Sequence, residues 1–348
     1  MEERIEYPET PKVPVTETIH GVDVVDDYRW LEDGDDPEVL EWEKAQAEIA
    51  RSLIDALPQR RFMIKRLSEL WRYDDERIPR AVVDGDRVFF YAKKADDEKW
   101  SYATRKNLEA PVEVLINPNE WDENEGLNGV YPSRDGRFVA FGKDVGGDEN
   151  PVIRILDVKK GKLLPDTLKG WRQRLVSWLP GNSGFYYIAN PLAGEVPEGE
   201  EYYWFAVYFH RLGTPAEKDV EIFGHDSIKE YIHLAEVTED GLHVLFFRRL
   251  FDSNEVYYKE INDNGPIRPL VTGFDAKYRV GTVDGKFLIL TDLNAPMYRV
   301  LVTDVDKPER ENWRELIPED PDNKLTDIIP ACGRIYAVYD HKAHALVK

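Results

Sequence analysis

Cysteine is almost absent from this chain. Of 348 residues only Cys332 carries a thiol, so no disulfide can form within it and packing must hold the fold. A lone thiol leads us to expect a reducing compartment, the cytoplasm. Basic charge is also short, with 46 lysines and arginines against 67 aspartates and glutamates, a formal net charge of −21. Nucleic acid and anionic membrane surfaces both need a basic footprint, so neither is expected as a partner. The acidic excess reads as a hydrated surface. No apolar run approaches the ~20 residues that span a bilayer. Met1 is followed by Glu-Glu-Arg-Ile-Glu-Tyr-Pro, which has neither the basic start nor the apolar core of a secretory signal.

Chemical motifs are equally scarce. A serine nucleophile on a strand-to-helix elbow needs G-x-S-x-G, and the nearest string is Gly181-Asn182-Ser183-Gly184-Phe185. Its last position is wrong and an apolar β-prone run follows, so Ser183 reads as a hairpin-turn residue and no catalytic residue is assigned. His341-x-x-His344 could bring two imidazoles together, but no third ligand follows in a recognisable pattern, so a surface role is expected and no metal. His233 and His243 flank one turn and read as ordinary strand and loop residues. Neither a phosphate loop nor a dinucleotide fingerprint occurs, so no cofactor is expected. The acidic strings Asp96-Asp97-Glu98 and Glu198 to Glu201 read as solvated loops.

What is present is a repeat. Turn dipeptides ending in glycine fall at Asp84-Gly85, Asp135-Gly136, Ser183-Gly184, Asp240-Gly241, Asp284-Gly285 and Cys332-Gly333, with a period of roughly 50 residues, the length of one propeller blade. Each precedes an apolar run, such as Phe138-Val139-Ala140-Phe141 or Val244-Leu245-Phe246-Phe247. Continuous runs of this kind suit strands covered on both faces. Apolar residues at 42% and aromatics at 12% suffice for a core. The clearest copy is Val130 to Leu164, read as four short strands in a meander, with a lead strand ending at Pro132.

The N-terminal part lacks this repeat. Residues 1 to about 35 carry proline and charge without periodicity and read as an extended arm. Asp36-Pro37 is a helix start, after which Leu40, Ala45, Ile49, Leu53 and Leu57 form one apolar stripe ending at Pro58. A second amphipathic segment holds Phe62, Leu67, Leu70 and Trp71. Neither has an apolar partner near it in sequence.

The segment His20-Gly21-Val22-Asp23-Val24-Val25-Asp26-Asp27-Tyr28-Arg29-Trp30-Leu31-Glu32-Asp33, with Trp42 and Gln46 after it, resembles the N-terminal signature of the prolyl oligopeptidase family of serine peptidases. Asp27 stands where the family usually has proline. Gly147-Asp148, the strand around Trp178, and Asn294-Ala295-Pro296-Met297-Tyr298-Arg299 resemble family patterns in family order. The resemblance implies an α/β-hydrolase domain carrying Ser, Asp and His, capped by a seven-bladed propeller that limits entry to short peptides. It further implies that residues 1–74 pack on the hydrolase domain, whose bulk follows the propeller, and that this chain stops first.

The expected fold is therefore mainly β: an incomplete propeller of the seven-bladed type, with four-stranded blades and about five and a half of them. It occupies residues 75–348, is truncated in the sixth blade, and is preceded by an N-terminal arm and two α-helices. The blades are expected at Arg77–Asn117, Val130–Leu168, Leu175–Phe223, Ile232–Val271, Tyr278–Pro318 and from Ile328 onward. By alignment, the residues lining a substrate cavity fall at Gln173, Ile232 and Phe251, Gln173 replacing an aromatic. The expected role is the propeller portion of an endopeptidase that cuts short peptides after proline, acting as a size-selecting gate and inactive alone. Proline-containing peptides become partners once the hydrolase domain is supplied, and exposed apolar surface favours self-association. The alternative is a stand-alone propeller that binds peptides or proteins without activity.

Overall fold

The structure is a computed structural model that describes residues 5, 7–82, 84–147, 150–170, 175–224, 228–331 and 333–348. It is mainly β, with a six-bladed propeller arrangement and two α-helices. The chain divides into two compact units, Met1–Tyr73 with Lys94–Asp96, and Asp74–Lys93 with Asp97–Lys348.

In the first unit, the segment expected as an unpatterned arm contains a hairpin, Val15–Ile19 paired with Val22–Asp26. His20 and Gly21 turn it with φ of 51° and 79°, the two positive values that a two-residue hairpin turn needs. The alternation of β-branched and polar residues on either side was the signal for it. Next comes α1, Pro37–Asp55, with the Asp36 carboxylate accepting from the Glu38 N–H at 2.7 Å. This caps a free donor of the first turn. Helix α2 spans Pro58–Trp71. The Trp42 indole donates to the Thr10 hydroxyl and the Trp30 indole to the Pro11 carbonyl, each at 3.0 Å. These bonds tie the N-terminal segment to α1 through Trp42 and to the short 3-10 turn Arg29–Glu32 through Trp30. Val39 is the one buried side chain of the two helices.

The second unit is a series of antiparallel sheets in sequence order, blades one to six, at residues 75–116, 125–168, 176–223, 232–271, 278–317 and 324–347. Each is an antiparallel meander in which strands adjacent in sequence pair, joined by short turns except in blade three, where residues 190–205 connect the second strand to the third. All six apolar runs lie in the second strand of their blade. Blade two begins earlier than expected, at Glu125. Its first strand crosses a bulge where the register shifts between Asn128 and Val130, and Gly129 there has a φ of 67°. The lead strand of blade one is split, Asp75–Glu76 and Arg80–Ala81 both pairing with Val88–Lys93. Blade six has three strands, from Lys324 rather than Ile328.

The core lies between blades. Five apolar clusters each join consecutive blades, from Phe89 with Phe141 to Leu290 with Tyr339. Aromatic rings dominate them: between blades three and four, Phe246 meets Phe223 at 5.4 Å and Tyr186 at 5.9 Å between centroids, separations at which offset or edge-on rings attract. None of the five clusters joins blade six to blade one.

Polar ties follow the same order along the first strands. The Trp178 indole of blade three donates to the Tyr131 carbonyl of blade two at 3.0 Å. The Ser177 hydroxyl accepts from the Val237 amide at 2.8 Å, and Thr282 donates to Asp240 at 2.8 Å. Arg134 goes further than its neighbours. From the turn of blade two its guanidinium reaches Asp84 of blade one at 3.0 Å and the Thr238 and Glu239 carbonyls of blade four at 3.1 and 2.6 Å.

The turns themselves follow a local rule. In Thr238-Glu239-Asp240-Gly241 the Asp240 carboxylate accepts from the Leu242 amide at 3.0 Å and the Thr238 hydroxyl from the His243 amide at 3.0 Å. Gly241 closes the turn with a φ of 69°. Gly184 is different. It opens a strand without positive φ, and a Cβ there would lie 2.2 Å from the His210 carbonyl oxygen, so close approach of backbone is what requires glycine.

Candidate functional site

The first and second strands of blades four and five and the first strand of blade six line a cavity of about 490 Å³, a size that accommodates a short peptide segment. Their alternation decides what enters it. In Ile232–Val237, His233 and Ala235 are buried in the blade, while Leu234 and Glu236 line the cavity. In Tyr278–Val283 the exposed Arg279 lines the cavity and the buried Tyr278 and Val280 border it, while the buried Thr282 is not among its lining residues. Phe251, Tyr298 and Ile328 add apolar surface.

Charge within the cavity is mixed. The Arg279 guanidinium donates to the Thr326 carbonyl at 2.8 Å and to Asp327 at 3.1 Å, which holds blade six beside blade five. Arg249 stands opposite Ile232 in the strand register. Glu236 opens onto the cavity yet has protein on most sides. This desolvation raises its carboxyl above the usual carboxylate range, with Arg279 and Arg249 opposing the shift. Among the described lining residues there is no histidine, and the cavity offers apolar walls and both signs of charge for binding.

Two of the residues expected to line a substrate cavity lie in blade four. Phe251 lies in the loop after the second strand of blade four, wholly exposed at 100%, and lines this cavity. Ile232 begins the first strand of the same blade, half-buried, and its cross-strand partner Arg249 is the residue that lines the cavity. Gln173 lies outside the described residues, as do Cys332 and Asp148. The charged residues Glu236, Arg249 and Arg279 were missed from sequence, although single charges at alternating positions of otherwise apolar strands were the available signal.

The other candidate residues have structural places. Ser183 is exposed in the turn leading into the strand Gly184–Ala189, and its carbonyl accepts from the Leu212 amide at 3.2 Å. His341 and His344 face each other across the last hairpin of blade six with ring centroids 5.2 Å apart. His341 is hydrogen-bonded to Asn323, and among the described residues no cluster of three metal-ligating side chains occurs. His233 is a strand residue, as expected, and a buried one, with its Nδ1 2.6 Å from the Phe205 carbonyl. His243 is also buried, at the start of its strand. Trp178 is buried between blades two and three, against Phe138 and Phe185.

The family described as "Prolyl oligopeptidase, N-terminal beta-propeller domain" matches residues 8–348. The chain belongs to the prolyl oligopeptidase family. It is 32% identical to the prolyl endopeptidase of Elizabethkingia meningoseptica over 99% of this chain and 49% of that protein. It is 28% identical to the dual function macrocyclase-peptidase POPB of Galerina marginata over 92% of this chain and 48% of that protein. A solved structure from work on two prolyl endopeptidases, concerning inter-domain dynamics in catalysis and specificity, superposes with a TM-score of 0.92 at 31% identity. It covers 98% of this chain and 51% of that one. The chain thus spans about half the length of the prolyl oligopeptidase family members it matches. Among the described residues no helix is long and apolar enough to cross a membrane.

Proposed function

We propose that this chain is the N-terminal and propeller portion of a prolyl oligopeptidase-type serine endopeptidase that acts in the cytoplasm. A propeller of the seven-bladed type admits short peptides to an α/β-hydrolase domain, which cuts them after proline. The match of residues 8–348 to family members about twice as long carries this reading. Two features support it. The helices expose Leu53, Phe62, Leu67 and Trp71, an apolar face suited to a hydrolase domain. Among the described residues the core clusters of blades one and six each join them to one neighbouring blade, the pattern expected at the two ends of an incomplete ring.

On this reading the cavity of blades four to six receives the part of the peptide beyond the proline pocket. Phe251 offers apolar contact there, while Arg249 and Glu236 orient the charged groups of the peptide. The chemistry is acyl transfer in the hydrolase domain, in which histidine activates serine and backbone donors hold the oxyanion. The propeller contributes selection by size.

The test is a fluorogenic glycyl-prolyl amide, offered to the chain alone and to a fusion of the chain with the C-terminal half of the Elizabethkingia meningoseptica enzyme. The expected result is no turnover and no fluorophosphonate labelling alone, and cleavage after proline by the fusion. Hydrolysis or labelling of the chain alone overturns the reading, and so does a folded fusion that leaves the substrate intact. A second reading, a peptide-binding scaffold without activity, is favoured by the five self-contained seams between blades. It predicts a monodisperse chain, whereas the leading reading predicts self-association through the helices; light scattering separates them.

A further inference from the structure

The seam between blades two and three holds a buried charged triad for which peptide binding has no use. His210 sits in the strand Ala206–Arg211 of blade three. Its Nε2 is 2.9 Å from an oxygen of Asp166, in the last strand of blade two, and its Nδ1 is 2.8 and 3.0 Å from the two oxygens of Asp219 in blade three. The side chains of His210, Asp166 and Asp219 are 0%, 0% and 3% exposed. Around them, the Tyr187 hydroxyl donates to Asp219 at 2.9 Å, the Gly213 amide donates to Asp166 at 2.5 Å, and the Phe185 ring lies 5.1 Å from the imidazole. The second oxygen of Asp166 is buried without a partner.

This arrangement constrains the proton count. A neutral imidazole has one N–H and one lone pair, so between two carboxylates it can donate to one and must turn its lone pair toward the other. In a site without water that opposition is strong. Only the doubly protonated ring donates to both.

We propose that His210 is an imidazolium clasp joining blades two and three, closed at neutral pH and released on the alkaline side. The groups facing it are Asp166 from blade two, and Asp219 and Tyr187 from blade three; Phe185 adds an uncharged wall. Burial by itself lowers the basicity of the ring, but the bonds to Asp219 and then Asp166 outweigh it and raise the pKa above the ordinary 6.5. The sign follows from linkage. A histidine whose folded value is raised stabilises fully below the unfolded value, and the contribution is lost as pH rises through the folded value. Between the two values, the opening equilibrium of the seam grows by up to about tenfold per pH unit, since one proton is released on opening. The inference is independent of whether the chain serves a peptidase or a scaffold.

The experiment is a nitrogen-15 titration of the imidazole in the intact chain from pH 6 to 10, with hydrogen exchange of the Gly213 amide over the same range. Exchange is corrected for intrinsic base catalysis and referenced to Leu301 in blade five. At pH 7 both ring nitrogens of His210 are expected to carry protons, one leaving only well above pH 6.5, while the protection of Gly213 falls by up to about tenfold per unit. His210→Gln is expected to abolish that slope. A ring that is neutral at pH 7 overturns the proposal, because an aspartate must then hold the proton. An equal slope in a folded His210→Gln variant overturns it too. If that variant does not fold, the spectra of the unaltered chain decide alone.

Discussion

Blade four and blade six carry second strands of the same apolar kind and bury them to different extents. In blade four, Val244, Leu245, Phe246 and Phe247 are all buried; in blade six, Ala337 alone of Ile335-Tyr336-Ala337-Val338 is, and Tyr336 is 36% exposed. Blade four has a core cluster with blade three on one side and with blade five on the other. Blade six shares a cluster with blade five alone. A continuous apolar run therefore states what a strand is able to bury, and its neighbours decide what it does bury. The helices repeat the lesson: Phe62 and Trp71 lie on amphipathic segments and are each 71% exposed.

The sharpest way to break this comparison is to remove matching rings from the two strands. Phe246→Ala deletes a fully buried ring from the seam of blades three and four and should cost about 3 to 5 kcal/mol in urea unfolding. Tyr336→Ala should stay within about 0.5 kcal/mol. Equal losses would show that blade six is covered after all. Arg134→Ala comes next. It removes charge-assisted bonds to blades one and four from a guanidinium that is 11% exposed, and a loss of about 2 kcal/mol is expected. A loss near zero would leave the apolar seams as the whole of what binds the blades. A smaller loss than for Arg134→Ala belongs to the helical unit. Asp36→Ala should cost about 1 kcal/mol or less, read as faster hydrogen exchange in the first turn of α1, with no change in the amides of blade four. A change in blade four would mean that the two units unfold together.

Much of this was legible in the sequence because it is local. A hairpin turn closes on its own side chains, as Thr238 and Asp240 do around Gly241, so the turn residues mark it wherever it lies. The Asp36 cap and the proline start of α1 are legible for the same reason. The N-terminal hairpin at His20-Gly21 was readable in principle, but its short alternating strands lie among prolines and charges. The start of blade two was not readable, since Gly129 lets the strand continue through a bulge that no local pattern marks. Nor was the cavity, whose charges come from strands of different blades. Glu236 and Arg279 are separated by 43 residues of chain (279 − 236) and line one space.

By itself, the sequence determined the period of the blades, the place of each second strand, the start of α1 and the family, because each rests on residues a few positions apart or on an ordered set of motifs. Tertiary structure alone decided which apolar runs are covered, that Arg134 ties three blades, and that His210 lies between two aspartates 53 residues apart (219 − 166). Burial and charge pairing depend on what packs against a side chain. In a propeller that neighbour comes from the next sheet, a whole repeat away along the chain.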